Sequence, residues 1–247
     1  MRDFKSQNQR FEQQPGWQQP PAGAWGGYGM ETAAQASVEE RVGFIRKVYA
    51  LFFAATLFAI GGVLLGLSFE PLQMFAREHP WIMLFAMIGG VMGAQAVRHV
   101  PGVNLAALFG FTTLTGVIIS PLIAIISQIN PGSIVAAGVL TVGIFGGLTA
   151  YVFVSKRDFS FMRGMLMTGL IVVILAGVVN IFLGASALGF AVAAATLLLF
   201  SGFVLYDTSN IIRRYPTNEY VAGALSLYLD AFNIFLALLR LLNMSRD

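Results

Sequence analysis

From about residue 48 onward the chain is a succession of apolar runs, each close to the ~20 residues a helix needs to cross a hydrocarbon layer. We read seven of them: 48–68, 80–97, 104–127, 134–154, 163–183, 188–212 and 221–242. Inside lipid every backbone polar group must find its partner within the protein, so runs of this length fold as helices. The connections are short, so consecutive helices are expected to be antiparallel neighbours with no soluble domain inserted. Composition agrees. Charged residues make up 11% of the chain and hydrophobic ones 57%, against ~25% charged for a soluble domain. The expected fold class is an all-α integral membrane protein.

Residues 1 to about 40 are of another kind. Stretches such as Gln13-Gln14-Pro15-Gly16-Trp17-Gln18-Gln19-Pro20-Pro21 and Gly26-Gly27-Tyr28-Gly29 bury too little apolar surface to offset ordering. They are expected to form a disordered Gln/Pro/Gly-rich cytoplasmic tail ahead of a transmembrane domain at 41–247. The plainer role of such a tail is solvation; the sharper one is a handle that a protease could grip. An amphipathic lead-in from Ser37, carrying Glu39, Glu40, Arg41, Arg46 and Lys47, runs into the first apolar segment. The first apolar run follows a long polar stretch, so no cleavable signal peptide is expected.

Basic residues set the expected orientation. With the tail in the cytoplasm, twelve of them lie inside: Arg2, Lys5, Arg10, Arg41, Arg46, Lys47, Arg98, Lys156, Arg157, Arg163, Arg213 and Arg214. Three, Arg77, Arg240 and Arg246, fall outside. Seven crossings put the N-terminus in the cytoplasm and the C-terminus outside. The last run carries Asp230 and Asn233 near its middle, so it either crosses or dips in and returns.

Several chemistries are excluded or unsupported. There is no cysteine, hence no disulfide, thiolate nucleophile or thiolate metal site. His79 and His99 alone cannot build a transition-metal site. No Gly-x-Ser-x-Gly, His-Glu-x-x-His or phosphate-loop pattern occurs. No enzymatic activity and no cofactor are expected. An intramembrane aspartyl protease also uses two membrane aspartates, but only Tyr206-Asp207 matches its motifs, since Asp230 follows Leu229 with no glycine pair nearby.

The two aspartates remain the candidates for chemistry. Asp207 and Asp230 each lie about 11 residues from the centre of the polar turn around Pro216–Glu219, so a fold-back would bring them level, roughly 17 Å in at ~1.5 Å per helical residue. Carboxylates inside spanning helices are costly and usually mark a pathway or relay. Two of them in low dielectric cannot both ionise cheaply and would titrate as a coupled pair. Oxygen ligands also suit a hard cation such as Ca2+. The plainer alternative is capping, by Thr208 or Ser209 for Asp207 and by Ser226 or Asn233 for Asp230. Arg98, at the end of the second run, either snorkels to the interface or turns inward and pairs with an aspartate. Glycines at Gly62/Gly66 and Gly89/Gly93, and the group Gly143, Gly146 and Gly147, are read as close-packing positions. Pro121 is read as a kink.

At these residues the chain resembles the Bax inhibitor-1 (transmembrane Bax inhibitor motif) family, on its bacterial YccA-like side. The resemblance rests on Phe203-Val204-Leu205-Tyr206-Asp207-Thr208-Ser209-Asn210-Ile211-Ile212 and on Ala224-Leu225-Ser226-Leu227-Tyr228-Leu229-Asp230-Ala231-Phe232-Asn233-Ile234-Phe235. Asp158 through Leu166 and Asn180-Ile181-Phe182 also carry it. It implies seven transmembrane helices, six surrounding a central C-terminal helix that holds Asp230, in a bacterial inner (plasma) membrane. It further implies a pH-sensitive calcium (cation) leak channel with Asp207 and Asp230 as a di-aspartyl sensor and transient Ca2+ ligands, and Arg98 as a latch. Its partners would be the lipid bilayer, Ca2+ and protons. Other bacterial relatives restrain FtsH-type membrane AAA proteases, and Thr208–Ile212 together with the long tail look like that side of the family.

Overall fold

The computed structural model describes residues 32–244, and Thr32 opens the compact helical unit. The predicted tail before Thr32 lies outside the described residues. Its last part does not. Ala33 is fully buried in the apolar cluster that includes Phe44, Val48 and Ile211, and its amide donates to the Tyr215 carbonyl at 2.9 Å. Thr32 forms an antiparallel bridge to Pro216. Thr32 and Ala33 thus belong with the helical unit.

Ser37 opens helix α1, Val38–Ser68. Its hydroxyl accepts the Glu40 amide at 3.2 Å, while the Glu40 carboxylate accepts the Ser37 amide at 3.2 Å. This reciprocal pair satisfies two otherwise orphaned donors, so lead-in and first apolar run form one continuous helix. A short α2, Glu70–Glu78, then intervenes with a proline in its first turn; it was not anticipated from the sequence. Pro80 opens α3, Pro80–Ala96, which at 17 residues is about 26 Å long. Gly102, with φ of 81°, turns the chain into α4, Val103–Ile129. Pro131 starts α5, Pro131–Ser155, which stops at Lys156 in the left-handed region. After a 3-10 turn at Ser160–Met162 come α6, Arg163–Leu183, then α7, Ser186–Arg213, and α8, Tyr220–Met244. Six of these helices are long and apolar enough to cross a membrane, and α3 is a shorter apolar helix.

Helix α8 is the core. In its most apolar window 72% of residues are buried, against 6–44% in the other five long helices. Val221 through Leu225 are buried without a break, as expected of a helix covered on all sides. It packs on α1, α4, α5 and α7. The outer helices turn large side chains outward, among them Phe182, Val142 and Leu198, which suits a hydrocarbon surround.

The most extensive contact joins α1 to α4. A methyl placed on Gly62 would lie 2.1 Å from the Thr113 carbonyl oxygen, and one on Gly116 would lie 2.0 Å from that of Ala59. Gly66 abuts the Ser120 side chain. By contrast Gly89, Gly93, Gly143, Gly146 and Gly147 face open space, so only the first glycine pair expected from spacing is a packing site. Pro121 lies inside α4 and lacks the amide that would bond Val117; the Ser120 hydroxyl donates to that carbonyl instead, at 2.8 Å.

Candidate functional site

The turn between α7 and α8 brings the two aspartates together as the spacing implies. Their carboxyl groups are hydrogen-bonded to each other, which requires one of them to carry the proton. Asp230 is only 3% exposed, and its Oδ2 has no partner in the protein. Such an orphaned acceptor is costly in a core and marks a place where a proton, water or ion would bind.

The capping alternatives do not occur. Ser209 Oγ accepts the Phe159 amide at 3.1 Å. Asn233 donates to the Leu229 carbonyl of its own helix at 2.8 Å. Ser226 pairs with the Tyr215 hydroxyl at 3.1 Å, and the Thr208 hydroxyl, on the side of Tyr49, makes no hydrogen bond among the described residues. None of the four candidate caps serves a carboxylate. Tyr49 on α1 and Tyr215 in the turn were not singled out in the sequence, where tyrosines in apolar runs carry no distinguishing signal.

Above the pair sits the α7–α8 turn. Burial, with the nearby Asp207 carboxyl next, pushes the Tyr215 hydroxyl up to about 12, so it stays protonated at neutral pH. Arg213 donates to the Lys156 carbonyl. Arg214 reaches Asp158 at 2.8 Å and Ser160 at 2.7 Å, binding the α5–α6 connection to the end of α7. The Ser160 amide, followed by Arg214, holds Asp158 down at about 2.

Arg98 is placed elsewhere than at the aspartates. Its Nε lies 4.0 Å from Glu219 and donates to His99 Nε2 at 2.9 Å. That bond leaves Nδ1 as the protonated ring nitrogen, which faces Glu219 at 3.6 Å. The reason is depth. Asp230 lies 11 residues along α8 from Glu219, about 16 Å further in, while Arg98 follows α3 in a turn and its side chain is 43% exposed. In this conformation the arginine engages Glu219, an acidic residue that the sequence showed only as part of a polar turn.

Among the described residues no group of three or more His, Cys, Asp or Glu residues is arranged to hold a metal ion. The pair alone offers two carboxyl groups, where Ca2+ takes about six to eight oxygens. The arrangement suits a hydrated ion in passage better than a resident one.

Comparison with known proteins places this architecture. The family model described as "Inhibitor of apoptosis-promoting Bax1" matches residues 41–247. Protein lifeguard 4 of Mus musculus is 35% identical over 212 residues, covering 85% of this chain and 88% of the relative. An uncharacterized protein of Helicobacter pylori is 34% identical over 210 residues, 84% of this chain and 89% of its own. The Golgi anti-apoptotic protein of vaccinia virus (strain Lister) is 33% identical over 217 residues, 87% and 90% respectively. The chain belongs to the Bax inhibitor family.

Proposed function

We propose that this protein is a non-enzymatic, pH-sensitive leak channel for Ca2+ or cations in general, with Asp207 and Asp230 as its proton sensor. The observation that carries the reading is the carboxyl pair itself, two acids from different helices sharing a hydrogen bond in the core, with Asp230 Oδ2 unpartnered. Protonation changes the charge of such a pair by one unit at the centre of the bundle, where screening is weak. The topology that goes with this reading has seven crossings, α3 included, and lies in a bacterial inner membrane with the N-terminus in the cytoplasm. Arg98 then acts at the cytoplasmic end, through Glu219 in the conformation described and through Asp207 after a rearrangement of the turn.

The test is Ca2+ entry into dye-loaded liposomes containing purified protein, from about pH 6 to 8, the range in which a coupled carboxyl pair can titrate. Wild type is compared with Asp207→Asn and Asp230→Asn. A pH-dependent flux whose profile both substitutions flatten supports the channel. Absence of flux above empty liposomes, with folded protein, refutes it.

One observation favours a second reading, a modulator of an FtsH-type membrane protease. Thr32 and Ala33 tie the end of the tail to the α7–α8 turn, so a partner holding residues 1–31 would pull on the turn above the aspartates. Deleting residues 1–31 then weakens association with the protease, measured by co-purification; unchanged association refutes it.

A further inference from the structure

A half-open cavity of about 420 Å³ lies between α4, α7 and α8, at the end of the bundle opposite the α7–α8 turn. Its lining includes Ile126, Ala193, Thr196, Asn233, Ala237 and Arg240. Two features set it apart from a packing defect in an apolar wall.

The first is its register with the carboxyl pair. On α8, Asp230, Asn233, Ala237 and Arg240 recur at i, i+3, i+7 and i+10, one helical face. On α7, Asp207, Thr196 and Ala193 are spaced i, i−11 and i−14, again one face. The two stripes that carry the aspartates thus continue outward as the walls of the cavity. Asn233 is one turn from Asp230 and remains half-buried between the buried Phe232 and Ile234. Phe200 and Phe203, with ring centroids 5.5 Å apart, occupy the α7 stripe between Thr196 and Asp207.

The second feature is charge. Arg240 is exposed at the mouth and has no ion-pair or hydrogen-bond partner among the described residues. Lys47 has the Tyr220 ring, Arg98 has Glu219, and Arg214 has Asp158. An unpaired cation at the mouth, near the end of α8, needs water or the polar interface around it.

We infer that this cavity is an aqueous vestibule leading to the carboxyl pair from the far end of the bundle, and that Arg240 at its mouth is a fixed positive charge that slows the entry of cations. The inference rests on reading the pair as a cation route, and its test does not require flux. The chain has no cysteine, so a single introduced thiol reports accessibility without background. Asn233→Cys and Thr196→Cys are compared with Ile174→Cys, a position 55% exposed toward the surround near the middle of α6. Each is reconstituted in liposomes and treated with a negatively charged or a positively charged water-soluble methanethiosulfonate.

The expected result is modification at Asn233→Cys and Thr196→Cys at least about ten-fold faster than at Ile174→Cys, whose thiol in lipid stays largely un-ionised. Arg240 lies about 10 Å along the helix from Asn233. In water-like dielectric it shifts the ratio of anionic to cationic labelling about four-fold. Adding Arg240→Gln to Asn233→Cys therefore lowers that ratio about four-fold, and Arg240→Lys restores it. Labelling at Asn233→Cys as slow as at Ile174→Cys overturns the vestibule, whatever the flux. A ratio unchanged by Arg240→Gln overturns the role of the charge, and a lipid filling the cavity would give the first of these failures. Rapid labelling in a protein with no Ca2+ flux would sink the channel reading and leave the vestibule standing.

Discussion

The close approach of α1 and α4 makes a prediction whose sign depends on which glycine is changed. A methyl on Gly62 would meet the Thr113 carbonyl at 2.1 Å, and one on Gly116 would meet the Ala59 carbonyl at 2.0 Å, where real contacts of this kind do not fall below 3.0 Å. The obstacle is backbone, which no rotamer change relieves, so the helices must separate by about 1 Å. A gap of that size forfeits a quarter to a half of the dispersion energy of the contacts it opens. Overpacking of this kind costs ~1–3 kcal/mol, a roughly 5- to 150-fold shift in the folding equilibrium. Gly89 and Gly93 face open space, and there Gly→Ala should stabilise by up to ~1 kcal/mol through helix propensity alone. The assay is reversible unfolding in mixed detergent micelles, with Gly62→Ala and Gly116→Ala run beside Gly89→Ala and Gly93→Ala. The first pair should unfold at lower denaturant than wild type and the second pair at equal or higher. All four moving in the same direction would refute the argument. The shift reaches function too, because α1 carries Tyr49, which faces Thr208 next to Asp207.

Four further outcomes follow from single contacts. Tyr228 and Thr115 share a buried hydrogen bond, and the Thr115 hydroxyl also reaches the Thr112 carbonyl at 2.7 Å; Thr115→Val strands a tyrosine hydroxyl and should cost ~1–3 kcal/mol, more than Tyr228→Phe, in the same unfolding assay. Asn243 donates to Ser133 Oγ at 3.0 Å and to the Leu239 carbonyl at 2.6 Å, so Asn243→Leu should speed amide exchange around residues 130–134, with ~1 kcal/mol lost. Ala33→Glu puts a charge where Ala33 is fully buried and should release Thr32 and Ala33 from the α7–α8 turn, seen as faster exchange at residues 214–219. Asp158 is held down at about 2 by the Ser160 amide and then Arg214. Its contribution is present above the ordinary carboxylate range and fades as pH falls toward 2. Asp158→Asn should therefore cost under ~1 kcal/mol at neutral pH, as expected for an exposed pair, and progressively less as the pH falls through the carboxylate range.

The register of the carboxyl pair was legible in the sequence because it follows from local arithmetic. Once two helices are joined by a short turn, residues equidistant from it come level, and 1.5 Å per residue sets the depth. Arg98 was not legible in the same way. Its position at the end of α3 was clear, but the partner it meets depends on how α3 sits against the α7–α8 turn, and that contact made Glu219 its neighbour. The short α2 was hidden because a nine-residue amphipathic segment lacks the length that signals a crossing, although the proline at its start was a cue. The cavity was invisible for another reason, since a void is a property of three helices together.

The length and apolarity of the runs by themselves determined that this chain is a helical membrane protein, because an unsatisfied backbone in lipid leaves no other solution. Single residues mark several helix ends, with Ser37 capping α1, Pro80 and Pro131 opening α3 and α5, and Gly184 ending α6. Tertiary structure alone decided which glycines touch another backbone, as Gly62 and Gly89 have the same spacing partners in sequence and opposite surroundings in space. It also decided that α8 is the buried helix. Mean hydropathy points the other way, since α8 is the least hydropathic of the six long helices and the most buried. In lipid the apolar side chains gain nothing by hiding from a solvent as apolar as themselves, so packing and polar contacts select the centre. The helix with Asp230 and Tyr228 goes inside, where Asp230 meets Asp207 and Tyr228 meets Thr115.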